Sequence, residues 1–329
     1  MFFFFLLSNQ LYAKKCGFKQ AQKVTTLDPS PLSEISGGAY VSEGTYWVLN
    51  DSEKKTTPPT FYEITPEEGL IHSWELIGIS QDDWEDMDVW SSPNEGTKIY
   101  IAETGGNNKL KDTFNVYSFP IPSTDETKIQ PSTTTLSFEE FGPRDFESFA
   151  IDPQTGKWYF LSKGWWTPSQ FFTVNEDGKT KVVANFSKKP IMKTSKELRQ
   201  HTPESIGRLQ PSSKQHRKTI MSKVQWYRTL PYFPTSMDFS PDGYTLFVRT
   251  YMFGYTWERE ENETWPDVLK NKPCRIILPV RKSNVQGETV FFDNYGQFIY
   301  LISENDNTPH PVYKIERNKR KYQTFKHEK

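Results

Sequence analysis

The chain has 329 residues, of which 15% are aromatic and 35% hydrophobic. Its 40 lysine and arginine residues nearly balance its 41 acidic residues, so the net charge of −1 does not call for nucleic acid or an anionic membrane as a partner. No stretch approaches the roughly 20 apolar residues of a membrane span. Abundant aromatic residues, with 23 prolines and 18 glycines, favour short strands joined by turns and predict an all-β chain.

The N-terminus carries a short apolar run at residues 2–7. The run is brief and has no basic residue before it, so residues 1–13 are either a short signal segment or a misassigned start. Three N-x-S/T sequons begin at Asn50, Asn185 and Asn262, although such triplets are common by chance. We expect a secreted or extracellular protein, with the cytoplasm as the alternative.

Five segments then repeat one pattern along the chain. An acidic residue or threonine begins a short strand, a glycine-bearing turn follows, and an aromatic-rich second strand ends in polar residues. The segments are 33–52, 83–107, 145–164, 234–251 and 287–306. Third and fourth strands follow most hairpins, as PTFYEIT and IHSWELIG do in the first repeat.

The spacing of the repeats predicts a single β-propeller domain over residues 14–317. The marker residues are Glu34, Glu85, Glu147, Thr235 and Glu288. Most lie about 50 to 60 residues apart, which is the size of one four-stranded blade. We therefore predict five blades, starting near residues 32, 83, 145, 234 and 286.

Three segments decide how the ring is completed. The last repeat ends without room for a fourth strand, so we expect residues 18–27 to supply it and close the ring. The polar segment 188–228 is an insertion loop in the preferred interpretation and contains a sixth blade in the other. The basic residues 318–329 are predicted to form a solvated tail.

The two cysteines, Cys16 and Cys274, flank the predicted closure. Two cysteines permit one disulfide and exclude a CxxC metal site. A disulfide joining the N-terminal segment to an outer strand and a pair of buried thiols both remain open.

Hairpin geometry predicts where the chemistry lies. The start of the first strand and the end of the second lie side by side, so each repeat brings acidic residues to one face of the ring. Carboxylates gathered there need a cation, a base or a proton to offset their repulsion, and Ca²⁺, which takes roughly six to eight oxygen ligands, is the candidate cofactor.

The predicted metal ligands are Glu34, Asp51, Glu85, Glu147 and Glu288. The catalytic candidates are Glu85, Glu147 and Glu288. The ligand-binding candidates are Asp51, Lys163, Arg249, Tyr251, Trp165 and Glu304.

Other functional signatures are missing from the sequence. It has no GxSxG, P-loop or GxGxxG motif. Its five histidines are scattered without paired spacing, which argues against zinc. For any single acid, the alternative is a structural role in capping a turn or bridging two blades.

The ordered motifs resemble a family of largely uncharacterised, bacterial-type β-propeller proteins. The family pattern reads NDSG, DWED, GDxGDN, DxEA, SPDG with RTY, and QGEA, and the match runs in order over about residues 32–316. The counterparts here are Asn50-Asp51-Ser52, Asp83-Trp84-Glu85-Asp86, Asp145-Phe146-Glu147-Ser148, Ser240-Pro241-Asp242-Gly243, Arg249-Thr250-Tyr251 and Gln286-Gly287-Glu288-Thr289. That family is similar to propeller phytases and calcium-dependent nucleotidases only in architecture and in its acidic channel.

The chain departs from the family pattern at two places. Glu53 replaces the glycine of NDSG, and residues 103–108 read ETGGNN where the family has GDxGDN. Two aspartates are thereby lost, which implies a weaker or altered metal site.

Three functions remain open from the sequence. The first is a secreted module whose pocket binds a small polar ligand or carbohydrate, with or without a cation. The second is a metal-dependent hydrolase of phosphate esters or similar small molecules. The third is a protein-interaction platform that docks a partner through residues 188–228.

Overall fold

A computed structural model describes residues 16–28, 30–51, 57–105, 112–138, 144–164, 168–187, 233–279, 286–304 and 309–318. Within these residues the regular structure is strand throughout, apart from a one-turn helix, α1 (Trp265–Val268). The all-β prediction is confirmed.

The described strands, numbered in chain order, form four hydrogen-bonded sheets, and the eight-stranded one divides at a parallel pairing, so that five antiparallel groups result. Group 1 contains β2 (Ile35–Ser42), β3 (Thr45–Asn50), β4 (Thr60–Thr65) and β5 (Gly69–Leu76). Group 2 contains β6 (Trp84–Ser92), β7 (Gly96–Glu103), β8 (Thr113–Pro120) and β10 (Ser132–Phe138). Group 3 contains β11 (Phe146–Ile151), β12 (Trp158–Ser162), β13 (Gln170–Val174) and β14 (Lys179–Asn185). Group 4 contains β15 (Pro234–Phe239), β16 (Thr245–Thr250), β17 (Phe253–Glu258) and β18 (Cys274–Ile277). Group 5 contains β19 (Gln286–Phe292), β20 (Phe298–Glu304), β21 (His310–Glu316) and β1 (Gln22–Leu27).

The first strands of the groups lie at the centre of the molecule. They contact one another in the cyclic order β2, β6, β11, β15, β19 and back to β2. Four-stranded antiparallel sheets arranged radially in this way are the architecture of a β-propeller. In group 5, β1 pairs antiparallel with β21, with Leu27 opposite His310.

Aromatic side chains fill the space between neighbouring sheets. In group 1, Phe61 stacks on Trp74 at 5.0 Å between ring centroids, and it also lies 5.3 Å from Phe119 of group 2. All three rings are buried. Burial of a side chain of this size contributes about 2 kcal/mol, so alternating aromatic strands stabilise the fold despite the modest hydrophobic content.

Buried arginines connect groups on the side of the hairpin turns. Arg259, just after β17, donates to Asp152 in the turn of group 3, with 3.1 Å between Nη2 and Oδ1. Arg317, just after β21, lies in the same way against Asp242 in the turn of group 4, at 3.5 Å. The same position of successive groups is therefore used to join neighbouring sheets.

Two parallel pairings cover outer sheet edges. The short β9 (Lys128–Ile129) pairs with β5, and β10 pairs with β14 across groups 2 and 3. An edge strand that is paired in this way has fewer free backbone N–H and C=O groups with which another chain could pair.

Cys16 and Cys274 form a disulfide, with 5.6 Å between their Cα atoms. It connects the segment before β1, in group 5, to β18 at the outer edge of group 4. Of the two alternatives left open by the sequence, the buried-thiol alternative is wrong for this structure.

Several predictions concern residues outside the described part of the chain. They are the signal segment 1–13, the insertion or sixth blade at 188–228, Trp165, and the tail beyond Asn318. Among the described residues, no helix is both long enough and apolar enough to cross a membrane.

Candidate functional site

Each first strand carries a β-bulge near its beginning, in the hairpin with the second strand. The register skips one residue between Trp84 and Asp86 in β6, and between Phe146 and Ser148 in β11. The extra residues, which define the bulge position, are Ser36, Glu85, Glu147, Thr235 and Glu288. A bulge re-aims a side chain and is frequent beside functional sites, so the backbone sets these five residues apart from the rest of the ladder.

The register corrects one detail of the predicted repeat. Ser36, not Glu34, occupies the bulge position of group 1. Glu34 corresponds instead to Asp83 and Asp145, the residues two positions before the bulge. The motif ISGG hides this equivalence, because it has a hydroxyl and two glycines where the other repeats have WEDM and FESF.

Backbone hydrogen bonds between groups bring the strand ends together. The Trp84 amide at the start of β6 donates to the Asp51 carbonyl at 2.7 Å, just after the end of β3. In the next group, the Phe146 amide donates to the Thr104 carbonyl at 3.3 Å. The end of one hairpin is thereby fixed against the start of the following hairpin.

Five carboxylates meet at this junction. Carboxylate oxygens of Asp51, Asp83 and Glu85 lie within 4.8 Å of one another, and so do those of Glu85, Asp145 and Glu147. Glu85 belongs to both trios. We call these residues the acidic cluster: Asp51, Asp83, Glu85, Asp145 and Glu147. All except the half-buried Asp51 are buried.

The surroundings of Glu85 disfavour its negative charge. Burial raises the pKa of the Glu85 carboxyl well above its usual range, and the neighbouring charge of Glu147 raises it further. Asp83 and Asp51 act in the same direction. Lys163 lowers the pKa of Glu85 but does not overcome these effects. The acidic cluster is therefore a place where a proton or a cation is strongly favoured.

Lys163 forms one side of the acidic cluster. Its ammonium group makes a buried ion pair with Glu147, and its Nζ atom lies 5.9 Å from the centroid of the Tyr251 ring. By register, Asp51, Lys163 and Tyr251 occupy the same strand-end position in three groups. The Tyr251 ring is itself buried and packs near Phe233 at 5.9 Å.

Glu288 acts electrostatically on the buried Arg249. Neither trio of the acidic cluster contains Glu288. Burial lowers the pKa of Arg249 to about 9, and the charge of Glu288 opposes that shift. The Arg249 guanidinium, on β16, donates to the carbonyls of Thr289 and Ile302, at 2.5 and 2.6 Å, and therefore joins group 4 to group 5.

Glu34 and Glu304 are predicted site residues that lie at strand ends. Glu34 is half-buried at the start of group 1, where its carbonyl accepts from the Asp51 amide at 2.8 Å, and it belongs to neither trio. Glu304 ends β20, with its backbone opposite Gln286. Trp165 lies outside the described residues.

Two carboxylates of the acidic cluster pack directly against Gly105. A Cβ atom built at Gly105 would overlap the carboxylates of both Glu85 and Asp83. The Gly105 amide also donates to the Asp83 carbonyl at 3.3 Å. A cluster of carboxylate oxygens suits a hard cation such as Ca²⁺ rather than a soft one, and the missing side chain at Gly105 lets two of these carboxylates approach the backbone closely. The donor set therefore fits the predicted cation.

Asp86, one residue after the bulge in β6, connects the first strands of several groups at the centre of the ring. Its carboxylate accepts from the amide of Phe149 in β11 at 3.1 Å and from the amide of Met237 in β15 at 3.3 Å. Because β6 and β15 are not neighbours in the ring, the second bond crosses the centre. Ser236 continues the network from Asp86 to Val290 in β19. A Cβ atom at Gly37 would lie 2.8 Å from the Asp86 Cα, so group 1 also reaches this point only because Gly37 lacks a side chain.

Two more carboxylates lie further along the first strands. Asp88 accepts from the Ile151 amide, and Asp238 accepts from the Phe292 amide, each at 2.7 Å. Each bond joins a first strand to that of the next group. Burial raises the pKa of Asp88 to about 7, and burial together with the charge of Asp88 raises the pKa of Asp238 well above its usual range.

These raised pKa values predict how stability depends on pH in the absence of metal. The folded protein holds protons on Glu85, Asp88 and Asp238 more tightly than the unfolded chain does. Their protonation therefore stabilises the fold at low pH, and that contribution is lost as pH rises through the folded-state pKa of about 7 for Asp88. In a chelator, we expect the urea midpoint to fall between about pH 5 and pH 8. A midpoint that rises across this window would contradict the expectation.

Sequence reasoning missed Asp86, Gly37 and Gly105. Asp86 is part of the DWED motif, but the repeats were aligned on the neighbouring Glu85. The signal was available in the repeat itself, because the residue after each bulge is small or hydrogen-bonding: Gly37, Asp86, Ser148, Ser236 and Thr289.

No protein-family model matches the chain, and no curated protein matches it in sequence. Among solved structures, the WD40 repeats of RRP9 are similar at 11% identity with a TM-score of 0.39, over 86% of this chain and 67% of that chain. The structure of U3-55K is similar at 10% identity, with the same TM-score and coverage. The resemblance to the repeat family stays a prediction, and the β-propeller architecture rests on the strand topology.

Proposed function

We propose that this chain is a secreted, five-bladed β-propeller whose acidic cluster binds a divalent cation, with Ca²⁺ as the best fit. Together with Lys163, the bound cation would hold a small polar ligand at the mouth of the ring. The observation that carries the proposal is the pair of carboxylate trios sharing Glu85.

The proposed blade number and closure have their own support. The five first strands contact one another in a cycle among the described residues, and β1 pairs with β21 where a fourth strand is needed. The disulfide supports a secreted location, because such bonds persist mainly in oxidising compartments.

The first test is thermal unfolding of the chelator-treated protein with and without Ca²⁺. A cation that binds only the folded state at 100 times its Kd stabilises it by about 2.7 kcal/mol. For a chain of this size we expect the Tm to rise by roughly 5 °C. Glu85→Gln should abolish the rise, since Glu85 belongs to both trios. The same substitution should raise the Tm of the metal-free protein at pH 8, because it removes a charge from a repulsive cluster.

Glu34→Gln is the matched control for this test. Glu34 is an acid at the same strand ends but lies outside both trios, so its variant should keep the full response to Ca²⁺. An absent response in the wild type, or an equal loss in both variants, would refute the proposed cation site. The rise should also be smaller at pH 5.5 than at pH 8, because cations compete with protons for carboxylates.

Gly105→Ala tests whether the cation depends on the positions of the Glu85 and Asp83 carboxylates. Its Cβ atom would overlap Glu85 and Asp83, so we expect the Ca²⁺ affinity measured by calorimetry to fall at least tenfold. Gly44→Ala is the control, because Gly44 has a positive φ of 75° but open space around it. That variant should lose about 1 kcal/mol of stability through backbone strain and keep its affinity. Unchanged binding in Gly105→Ala would show that the cation lies elsewhere.

A second candidate function is metal-dependent hydrolysis of a phosphate ester or a similar small molecule. The favouring observation is the raised pKa of Glu85 inside the acidic cluster, which suits a carboxyl that acts as a general acid or base. The cation would supply electrostatic stabilisation, and Lys163 would position an anionic group. Glu85→Gln should then abolish turnover of an aryl phosphate, whereas a protein that only binds shows no turnover in either form.

A further inference from the structure

The three sequons have very different structural surroundings. Asn50 is fully buried at the end of β3, where its Nδ2 donates to the Pro31 carbonyl at 3.0 Å. Its Oδ1 accepts from the Glu34 amide at 3.4 Å. A carbohydrate on Asn50 Nδ2 is therefore incompatible with this fold.

Asn185 and Asn262 are both exposed. Asn185 ends β14, and its Oδ1 accepts a hydrogen bond from Gln170 Nε2 at 3.0 Å. Asn262 lies in the turn between β17 and α1, and it makes no hydrogen bond within the described part of the chain. Only Asn262 combines exposure, a turn and an amide that the fold does not use.

The turn that carries Asn262 is fixed at both ends. The Glu263 amide donates to the Glu260 carbonyl at 3.1 Å, and the sequon hydroxyl of Thr264 donates to Asp267 at 2.7 Å on the surface. Trp265 anchors the following helix in the core. A group attached to Asn262 would project into solvent without displacing a buried side chain.

We propose that Asn262 is an N-glycosylation site. Asn262 Nδ2 would attack the anomeric carbon of a lipid-pyrophosphate-linked oligosaccharide, forming an N–C bond. The bond from that carbon to the pyrophosphate oxygen breaks, the lipid pyrophosphate leaves, and Nδ2 loses one proton. The inference rests on the secreted location proposed above and is independent of the cation site.

The site is tested on the full chain, secreted from cultured eukaryotic cells behind a host signal peptide. Peptide mass spectrometry after amidase release in heavy-oxygen water should mark Asn262 as modified and leave Asn50 unmarked. Asn262→Gln and Thr264→Ala should each lose one glycan-sized step in gel mobility. Glu261→Gln, an exposed neighbour outside the sequon, should retain it. Secreted protein with an unmodified Asn262, or folded protein with a glycan on Asn50, would overturn the inference.

A thiol assay on the native protein separates this inference from the location on which it rests. Free Cys16 and Cys274 would contradict the secreted location itself. An intact disulfide with an unmodified Asn262 in the native protein would refute only the glycosylation site.

Discussion

Replacement of Asp86 by alanine is expected to destabilise the protein by about 4 kcal/mol, because buried donors on two other strands lose their acceptor. The amides of Phe149 and Met237 share one carboxylate oxygen, Oδ2, and cannot reach water after the change. The truncated side chain also leaves a cavity where the first strands converge. Urea unfolding followed by tryptophan fluorescence measures the effect.

Asp86→Asn separates the loss of the acceptor from the loss of charge. The asparagine oxygen can keep the bonds from Phe149 and Met237, while its amide faces the hydroxyl of Ser236, which accepts as readily as it donates. The bond from the Met87 amide is lost, and the cost of burying an ionisable carboxyl disappears. We expect a net change of about 1 kcal/mol.

Ser91→Ala serves as the control, since Ser91 is an exposed residue of the same strand and surface substitutions usually change stability by less than about 0.5 kcal/mol. Equal losses from Asp86→Ala and Asp86→Asn would show that the charge, rather than the shared acceptor, is what the ring requires. A loss below about 1 kcal/mol from Asp86→Ala would show that the hydrogen bonds to Asp86 do not stabilise the centre of the ring.

Local patterns were sufficient to predict the sheets. The third and fourth strands read as PTFYEIT and IHSWELIG coincide closely with β4 and β5. Period-two alternation and glycine turns act within a few residues, so a sequence displays them directly. The predicted role of residues 18–27 had a different basis, since the last repeat lacked a fourth strand and the N-terminal segment offered one; residues 22–27 pair with β21.

A repeat alignment does not show which acidic residues come together in the acidic cluster. The predicted metal ligands included Glu288 with Glu85 and Glu147, whereas the two trios join Glu85 and Glu147 to Asp51, Asp83 and Asp145, and the charge of Glu288 acts on Arg249. A one-residue bulge and hydrogen bonds between groups, such as the bond from the Trp84 amide to the Asp51 carbonyl, determine which acidic side chains come together. Those contacts span about 30 residues or more, and no local pattern encodes them.

Loss of the Cys16–Cys274 disulfide is expected to lower the stability by about 4 kcal/mol, because the bond closes a loop with a sequence separation of 258 residues and so restricts the unfolded chain strongly. For a chain of this size, the corresponding decrease in Tm is roughly 8 °C. The double variant Cys16→Ala/Cys274→Ala should show it by urea unfolding, and reductant should have no further effect on that variant.

The same variant should open the ring at one place rather than everywhere. Phe18, two residues after Cys16, pairs with Arg317 at the end of group 5 and packs on Phe247 of β16 at 5.8 Å, so this segment lies at the seam between groups 5 and 4. Hydrogen exchange should therefore accelerate in β1 and β21, while β6 and β11, at the centre beside the acidic cluster, keep their protection. Uniform acceleration across all five groups would instead mean that the closure and the centre unfold as one unit, and that the disulfide stabilises the ring as a whole rather than its seam.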